Sequence, residues 1–145
     1  MKLNHLLLAL LCTATVFSQC KTTKYTPDNL PDEYLRFGNG GGFTGIETTY
    51  TLLENGQLFK SVSRQSETQE LATCKRKKVK RLFERAETLD LANLKFMYPG
   101  NIYQFVEILD DGAMNRIVWG EKDNPVDENI KSLHEELMQL IVENH

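Results

Sequence analysis

A pair of strand-like segments around Asn55-Gly56 constrains the fold of this chain more than any other feature. Residues 46–53 (IETTYTLL) and 57–63 (QLFKSVS) are rich in β-branched and aromatic side chains. Both Asn and Gly tolerate positive φ, which suits the central positions of a type I′ turn. The pattern therefore predicts two antiparallel strands joined by a tight hairpin turn.

A second pair of segments, 102–109 (IYQFVEIL) and 114–119 (MNRIVW), flanks Asp111-Gly112. A two-residue turn at this dipeptide would place Glu107 opposite Arg116 and Val106 opposite Ile117, which are favourable cross-strand pairs. One face of this hairpin is expected to meet the helices, and it holds Ile102, Val106, Ile108, Ile117 and Trp119.

Two other segments have the period of a helix. Val79, Leu82, Phe83 and Ala86 share one stripe, which predicts a helix from an N-cap at Thr73 to near Leu89. A second helix is predicted after Asn124 as N-cap and Pro125 at the first helical position. Its buried stripe is Val126, Ile130, Leu133, Leu137, Leu140 and Ile141. The chain is therefore predicted to be α+β, with two antiparallel β-hairpins and two helices in ββαββα order, the helices packed on a sheet.

The first twenty residues, MKLNHLLLALLCTATVFSQC, are typical of a secretory signal. Lys2 and His5 precede an apolar run over 6–12, far shorter than the roughly 20 residues of a membrane-spanning helix. We expect 1–19 to be a lipoprotein signal peptide, 20–34 a flexible tether and 35–145 a single α+β domain. Pro27 and Pro31, with no apolar periodicity around them, favour the tether.

The segment VFSQC (16–20) resembles the lipobox of bacterial lipoproteins, in a relaxed form with Phe17 and Gln19 that is similar to those of the Bacteroidetes. FGNGGGFTG, YTLLENGQLF and YPGNIYQFVEI also resemble small uncharacterised lipoproteins of that group, which carry no known activity. The resemblance implies that Cys20 carries the lipid (palmitate among its acyl chains) and anchors the chain at the outer membrane. No acidic residue lies between Lys21 and Lys24, which implies an anchor that faces the periplasm.

Ordinary cleavage after Ser18 is a second processing route, because Val16 and Ser18 are small enough for a signal peptidase site. Under this route Cys20 and Cys74 would be able to form a disulfide in the oxidising periplasm. Both routes predict export, and they differ in the mass of the mature N-terminus.

The glycine-rich stretch GNGGGFTG (38–45) matches the G-x-G-x-x-G spacing of a dinucleotide-binding loop. That loop must open a helix, whereas a strand follows here, and no Lys-Ser or Lys-Thr follows as in a phosphate-binding P-loop. We interpret the stretch either as a bulged entry into the first strand or as an exposed recognition loop. The candidate partner-binding residues in it are Gly40, Gly41, Gly42 and Phe43.

Four basic residues, Lys75, Arg76, Lys77 and Lys78, occupy the first turn of the first predicted helix, where the helix dipole favours acidic residues. They form either a solvated face or a contact with anionic lipid headgroups or an acidic protein patch. The net charge of −3 and the predicted export exclude nucleic acid as a partner.

Candidates for catalysis are few. Cys74 lies beside basic residues at a predicted helix start, where a thiol pKa can fall. His134 lies in HEEL, which lacks the second histidine of a zinc-protease helix, so we expect it to be a solvated helical residue. We predict no catalytic residue, cofactor or metal.

The predicted function is a non-enzymatic, lipid-anchored binding module for a protein or ligand, with the membrane and another envelope protein as candidate partners. Its alternatives are a small thiol-dependent or hydrolytic periplasmic enzyme, and an envelope spacer without a specific ligand.

Overall fold

The structure, a computed structural model, describes residues 23–143, so the predicted signal peptide and Cys20 lie outside the described residues. Within this range one sheet contains every named strand, in the order β4-β3-β2-β1-β6-β7-β5. The strands are β1 (Tyr34–Gly41), β2 (Ile46–Leu53), β3 (Leu58–Val62), β4 (Gln69–Glu70), β5 (Met97–Tyr98), β6 (Ile102–Asp110) and β7 (Ala113–Trp119), and the helices are α1 (Arg76–Thr88) and α2 (Glu128–Glu143). Neighbouring strands are antiparallel except for β5 and β7, which are parallel.

The α+β class is confirmed, but the predicted ββαββα order is wrong. The described chain has a 7-stranded sheet, and three of its strands, β1, β4 and β5, were not predicted. Glycines weaken the intrinsic preference of a segment for strand structure, so the sequence of β1, YLRFGNGG, reads as a loop. Pairing with β2 on one side and β6 on the other makes it the central strand of the sheet.

Both predicted hairpins are present. In the second, Asp111 and Gly112 have φ of 46° and 77°, and Glu107 lies opposite Arg116 as expected. In the first, Gly56 has a φ of 94° whereas Asn55 has no positive φ, so the predicted type I′ turn is wrong. The Leu53 amide donates to the Gln57 carbonyl at 2.9 Å, which closes a three-residue loop with its glycine in the left-handed region.

The helices begin later than predicted. Helix α1 is preceded by Lys75 rather than Thr73 at its N-cap, and no side chain caps it. Asp127 rather than Asn124 precedes α2, and its carboxylate accepts a 2.7 Å hydrogen bond from the Asn129 amide. The two helices run antiparallel, because Lys78 near the start of α1 pairs with Glu143 at the end of α2.

The main core lies between the helices and one face of the sheet, here called the helix face. Leu35 and Phe37 of β1 pack there against Leu82 of α1 and Leu137 of α2. The expectation that Ile102 also meets the helices is wrong, since this side chain is 68% exposed. Ile102 shares the helix face with Val106 by strand alternation, but it lies at the end of β6 beyond the cover of the helices.

The opposite face of the sheet, here called the open face, carries a smaller apolar cluster of Tyr34, Leu53 and Phe59. Tyr25 and Leu30 of the N-terminal segment pack against this cluster. The described part of the predicted tether therefore contacts the domain, and the domain boundaries stay a prediction. Within residues 23–143 no helix has the length and apolar character that a membrane span requires.

Candidate functional site

The glycine-rich stretch ends the central strand and turns into β2. Gly41, Gly42 and Gly45 have φ of 93°, 71° and 59°, which only glycine adopts without strain. The Gly42 amide donates to the Asn101 carbonyl at 2.7 Å, so the turn is also attached to the chain that enters β6. Strand β2 follows the turn, as expected from the sequence. A phosphate-binding glycine loop opens a helix, so this turn is not one.

Exposed apolar side chains gather around this turn. Gly41 pairs with Ile46 on one side and with Ile102 on the other, so the three residues form one row across β2, β1 and β6. Ile46 is 38% exposed, and the Phe43 side chain in the turn is fully exposed. The next row of the helix face, Asn39 between Thr48 and Gln104, supplies polar groups. We call Asn39, Gly41, Phe43, Ile46, Ile102 and Gln104 the glycine-end surface.

Two further glycines of β1 shape the open face. A Cβ on Gly38 would overlap the Thr48 carbonyl, and a Cβ on Gly40 would lie 2.6 Å from the Tyr103 hydroxyl oxygen. The Phe105 and Tyr103 rings of β6 occupy the space that side chains at these positions would fill. Because β1 has no side chains at these two positions, the rings of β6 can lie over the central strand on the open face.

A network of charged residues crosses the open face. Arg36 donates to Glu107 at 3.2 Å, and Arg116 lies 3.5 Å from the other oxygen of the same carboxylate. Arg116 also donates to Glu47 at 2.6 Å, although its strand, β7, is separated from β2 by β6 and β1. The Arg116 guanidinium reaches across by lying 3.9 Å above the centre of the Phe105 ring.

The network balances its own charges. Partial burial raises the pKa of Glu47, but hydrogen bonds from Arg116 and Tyr103 outweigh burial and lower its pKa overall. The same hydrogen bond to Glu47 raises the pKa of Tyr103. A groove of about 230 Å³ lies above these residues. Each arginine of the network already binds a carboxylate, so the groove offers no uncommitted cation among the described residues.

The four basic residues at the start of α1 have two different environments. Lys75, Arg76 and Lys77 are exposed, whereas Lys78 donates to both oxygens of the Glu143 carboxylate at 2.8 Å. The run lies near the Glu54–Gly56 turn, because Arg76 lines the same groove as Glu54 and Asn55. It is therefore at the opposite end of β2 from the glycine-end surface, and the structure does not bring the two predicted regions together.

Cys74 is a buried thiol, 3% exposed. Burial raises its pKa, which suppresses the thiolate that a nucleophile needs. The charges of Lys78 and Glu143 act on its pKa, and Glu143 lies about 13 Å along α2 from His134 at about 1.5 Å per residue. This placement gives no support to a catalytic Cys-His pair.

His134 is buried, so the expectation of a solvated histidine is wrong. Its side chain is 3% exposed, and Nε2 donates to the Gly38 carbonyl at 3.0 Å. The Trp119 ring stands edge-on at 5.2 Å from the imidazole. Burial lowers the pKa of His134, so the imidazole is a neutral link between α2 and the centre of β1. Among the described residues, no group of three or more His, Cys, Asp and Glu side chains is placed to hold a metal ion.

Comparison with models of known protein families gives no match, and no curated protein is similar enough to this chain to count as a relative.

Several residues of these surfaces were outside the sequence-based prediction. The Glu107–Arg116 pair follows from the second hairpin, but Arg36 and Glu47 join it only through the pairings of β1. Ile46 and Ile102 likewise lie on either side of Gly41 only because β1 pairs with β2 and with β6. The available signal was the alternation of Tyr34, Arg36 and Gly38 with Leu35 and Phe37, which is the two-residue period of a strand.

Proposed function

We propose that this chain is an exported lipoprotein, anchored to the cell envelope through Cys20, that binds another envelope protein without catalysing a reaction. The observation that carries the binding role is the glycine-end surface, where Phe43, Ile46 and Ile102 are exposed together. Neighbouring exposed apolar residues beside polar groups are a feature of protein-binding surfaces.

The form of this surface also favours binding. Ile46 and Ile102 flank Gly41, and the Asn101 carbonyl fills the place where a side chain of Gly41 would stand, so the two isoleucines lie on either side of closely packed backbone. Asn39 and Gln104 are exposed beside this row, and the Gln104 oxygen accepts a 2.9 Å hydrogen bond from the Trp119 indole, which leaves the Gln104 amino group and the Asn39 amide to face a partner. We expect the partner to place apolar side chains against Phe43, Ile46 and Ile102 and to pair polar groups with the two amides.

The anchor is supported by sequence. VFSQC follows a short apolar run, which is the order of parts in a lipoprotein signal. Attachment at Cys20 predicts that the mature chain carries the added mass of the lipid and sediments with membranes. A Cys20→Ser variant should lose the lipid and leave the membrane fraction. A mature chain that starts at Gln19 without lipid would contradict the anchor.

The binding role is testable by crosslinking in the native envelope. A photo-crosslinking amino acid replaces Phe43 or Ile102, and an exposed position on α1, Glu84, serves as the matched control. We expect one discrete adduct from both test positions and none from position 84. An Ile102→Asp substitution should remove the adduct formed from position 43. Equal adducts from all three positions, or none from positions 43 and 102, would contradict the proposal.

A further inference from the structure

We propose that the end of the sheet where the chain enters at Thr23 rests on the membrane, with Lys75, Arg76 and Lys77 against anionic phospholipid headgroups. The inference rests on the proposed anchor at Cys20 and adds an orientation to it. The glycine-end surface then faces away from the bilayer.

The N-terminal segment is attached to the domain from its first described residue. The Asn55 side chain donates to the Thr23 carbonyl at 2.7 Å. The Gln57 side chain accepts from the Tyr25 amide at 2.8 Å and donates to the Tyr25 carbonyl at 3.0 Å. Gln57 is 5% exposed, so these bonds are shielded from water. Only residues 21 and 22 separate Cys20 from Thr23, a span of about 10 Å at most when fully extended.

This short connection determines which part of the domain lies at the bilayer. Thr23, Asn55 and Arg76 line one groove of about 560 Å³. Thr73 lines another groove with Thr23, so the residues that lead into α1 also lie beside the entry point. A lipid on Cys20 therefore brings the start of α1 to the headgroup region, where an anionic surface attracts each Lys and Arg side chain.

Acidic residues also lie at the end of the sheet where the chain enters. Partial burial and the carboxylates of Glu54, Asp110, Glu87 and Asp111 raise the pKa of Glu33, which lies just before β1. Glu33, Glu54 and Asp111 line the groove that also holds Thr23 and Arg76. The contact with an anionic surface is therefore made by the exposed basic side chains at the start of α1, Lys75, Arg76 and Lys77, and not by the floor of this groove.

The length of the central strands determines how far the glycine-end surface lies from the membrane. Strand β2 runs from Ile46 at the glycine end to Leu53 beside the Glu54–Gly56 turn. Eight residues at about 3.3 Å each place the glycine-end surface about 25 Å from the membrane-facing end. A partner in the periplasm can therefore reach the glycine-end surface without competing with the bilayer.

Lysine footprinting tests this orientation on the lipidated protein. The protein is reconstituted on phosphatidylcholine vesicles with and without phosphatidylglycerol, and the acetylation rate of each lysine is measured by mass spectrometry. Lys75 and Lys77 report on the proposed contact. Lys122 and Lys131 are exposed lysines near the other end and serve as internal controls.

We expect acetylation of Lys75 and Lys77 to slow several-fold on vesicles that contain phosphatidylglycerol, while Lys122 and Lys131 are unchanged. Equal protection of all four lysines, or protection of Lys122 and Lys131 alone, would overturn the orientation. Lys24, next to the entry point, should be protected on the same vesicles. A Lys75→Glu/Lys77→Glu variant should remove the protection of Lys24, whereas the matched Lys122→Glu/Lys131→Glu variant should not.

Failure of the anchor is a separate result. If the purified chain carries no lipid, the proposed function loses its anchor, and the Cys20 thiol is then coupled to a maleimide lipid in the same vesicles. Selective protection of Lys75 and Lys77 after coupling would still support the orientation, and its absence would overturn it.

Discussion

Gly38 and Gly40 shape the open face because they have no side chains. Each faces the open side of the sheet, and the Phe105 and Tyr103 rings occupy the adjacent space. Tyr103 is then placed to donate to Glu47 at 2.7 Å. A glycine-rich segment that resembles a nucleotide loop therefore has a steric role at these two positions, because it allows two aromatic rings to lie across the central strand.

Replacing Gly40 with alanine tests this role. The new Cβ would lie 2.6 Å from the Tyr103 hydroxyl oxygen and 2.7 Å from the ring carbon that carries it. We expect a loss of about 1–3 kcal/mol in the free energy of unfolding, as for other overpacked sites, measured by urea denaturation. In a Tyr103→Ala background the same substitution should cost much less. An equal cost in both backgrounds would refute the steric explanation.

At the scale of elements, local signals predicted the hairpins and the helices. The Asp111-Gly112 turn and the stripe of Val79, Leu82 and Ala86 are determined by residues close in the chain. Strand β1 was missed because its stability comes from pairing with β2 and with β6, and β6 is distant in sequence. Strand β5 was missed because its two residues form a parallel pair with β7.

The same distinction applies to the candidate surfaces. Phe43 and the basic run were identified by residue type alone. The row of Ile46, Gly41 and Ile102 requires the register of three strands, and no local pattern contains that register. The division of the basic run, with Lys78 bound to Glu143, depends on the packing of α1 against α2.

Helix α1 carries a cost at its first turn. No acidic residue is present there, although the positive end of the helix dipole favours one. A Lys77→Glu substitution should therefore raise the free energy of unfolding by about 0.3–1 kcal/mol at low salt. Urea denaturation at low and high salt measures this, and the gain should shrink in high salt. Lys122→Glu, outside both helices, should give no comparable gain. A loss of stability in Lys77→Glu would contradict the dipole argument.

At the scale of the whole molecule, the open-face network joins strands that are not neighbours. Arg116 on β7 binds Glu47 on β2 across the two central strands. Glu107 on β6 lies between Arg36 and Arg116 and is 5% exposed. The network therefore connects both halves of the sheet on the face that the helices leave open.

The pH dependence of stability should report on this network. The pKa of Glu47 in the folded protein lies below its ordinary value of 4.5, so its ionised form stabilises the fold above that pH. This contribution is lost as the pH falls from about 4.5 through the lower folded pKa. The difference in unfolding free energy between wild type and Glu47→Gln should therefore narrow on acidification. A difference that is constant from neutral pH to below the folded pKa would contradict this prediction.

The two-residue length of β4 and β5 has a consequence for a protein that is crowded on a surface. These strands cover only part of the two borders of the described sheet, because β5 pairs with Val118 and Trp119 and leaves 113–117 of β7 without a strand partner on that side. Unpaired strand borders are the places where the sheets of neighbouring molecules pair. Lipid anchoring would confine many copies to a thin layer, and the uncovered part of β7 is then the border at which two copies can pair.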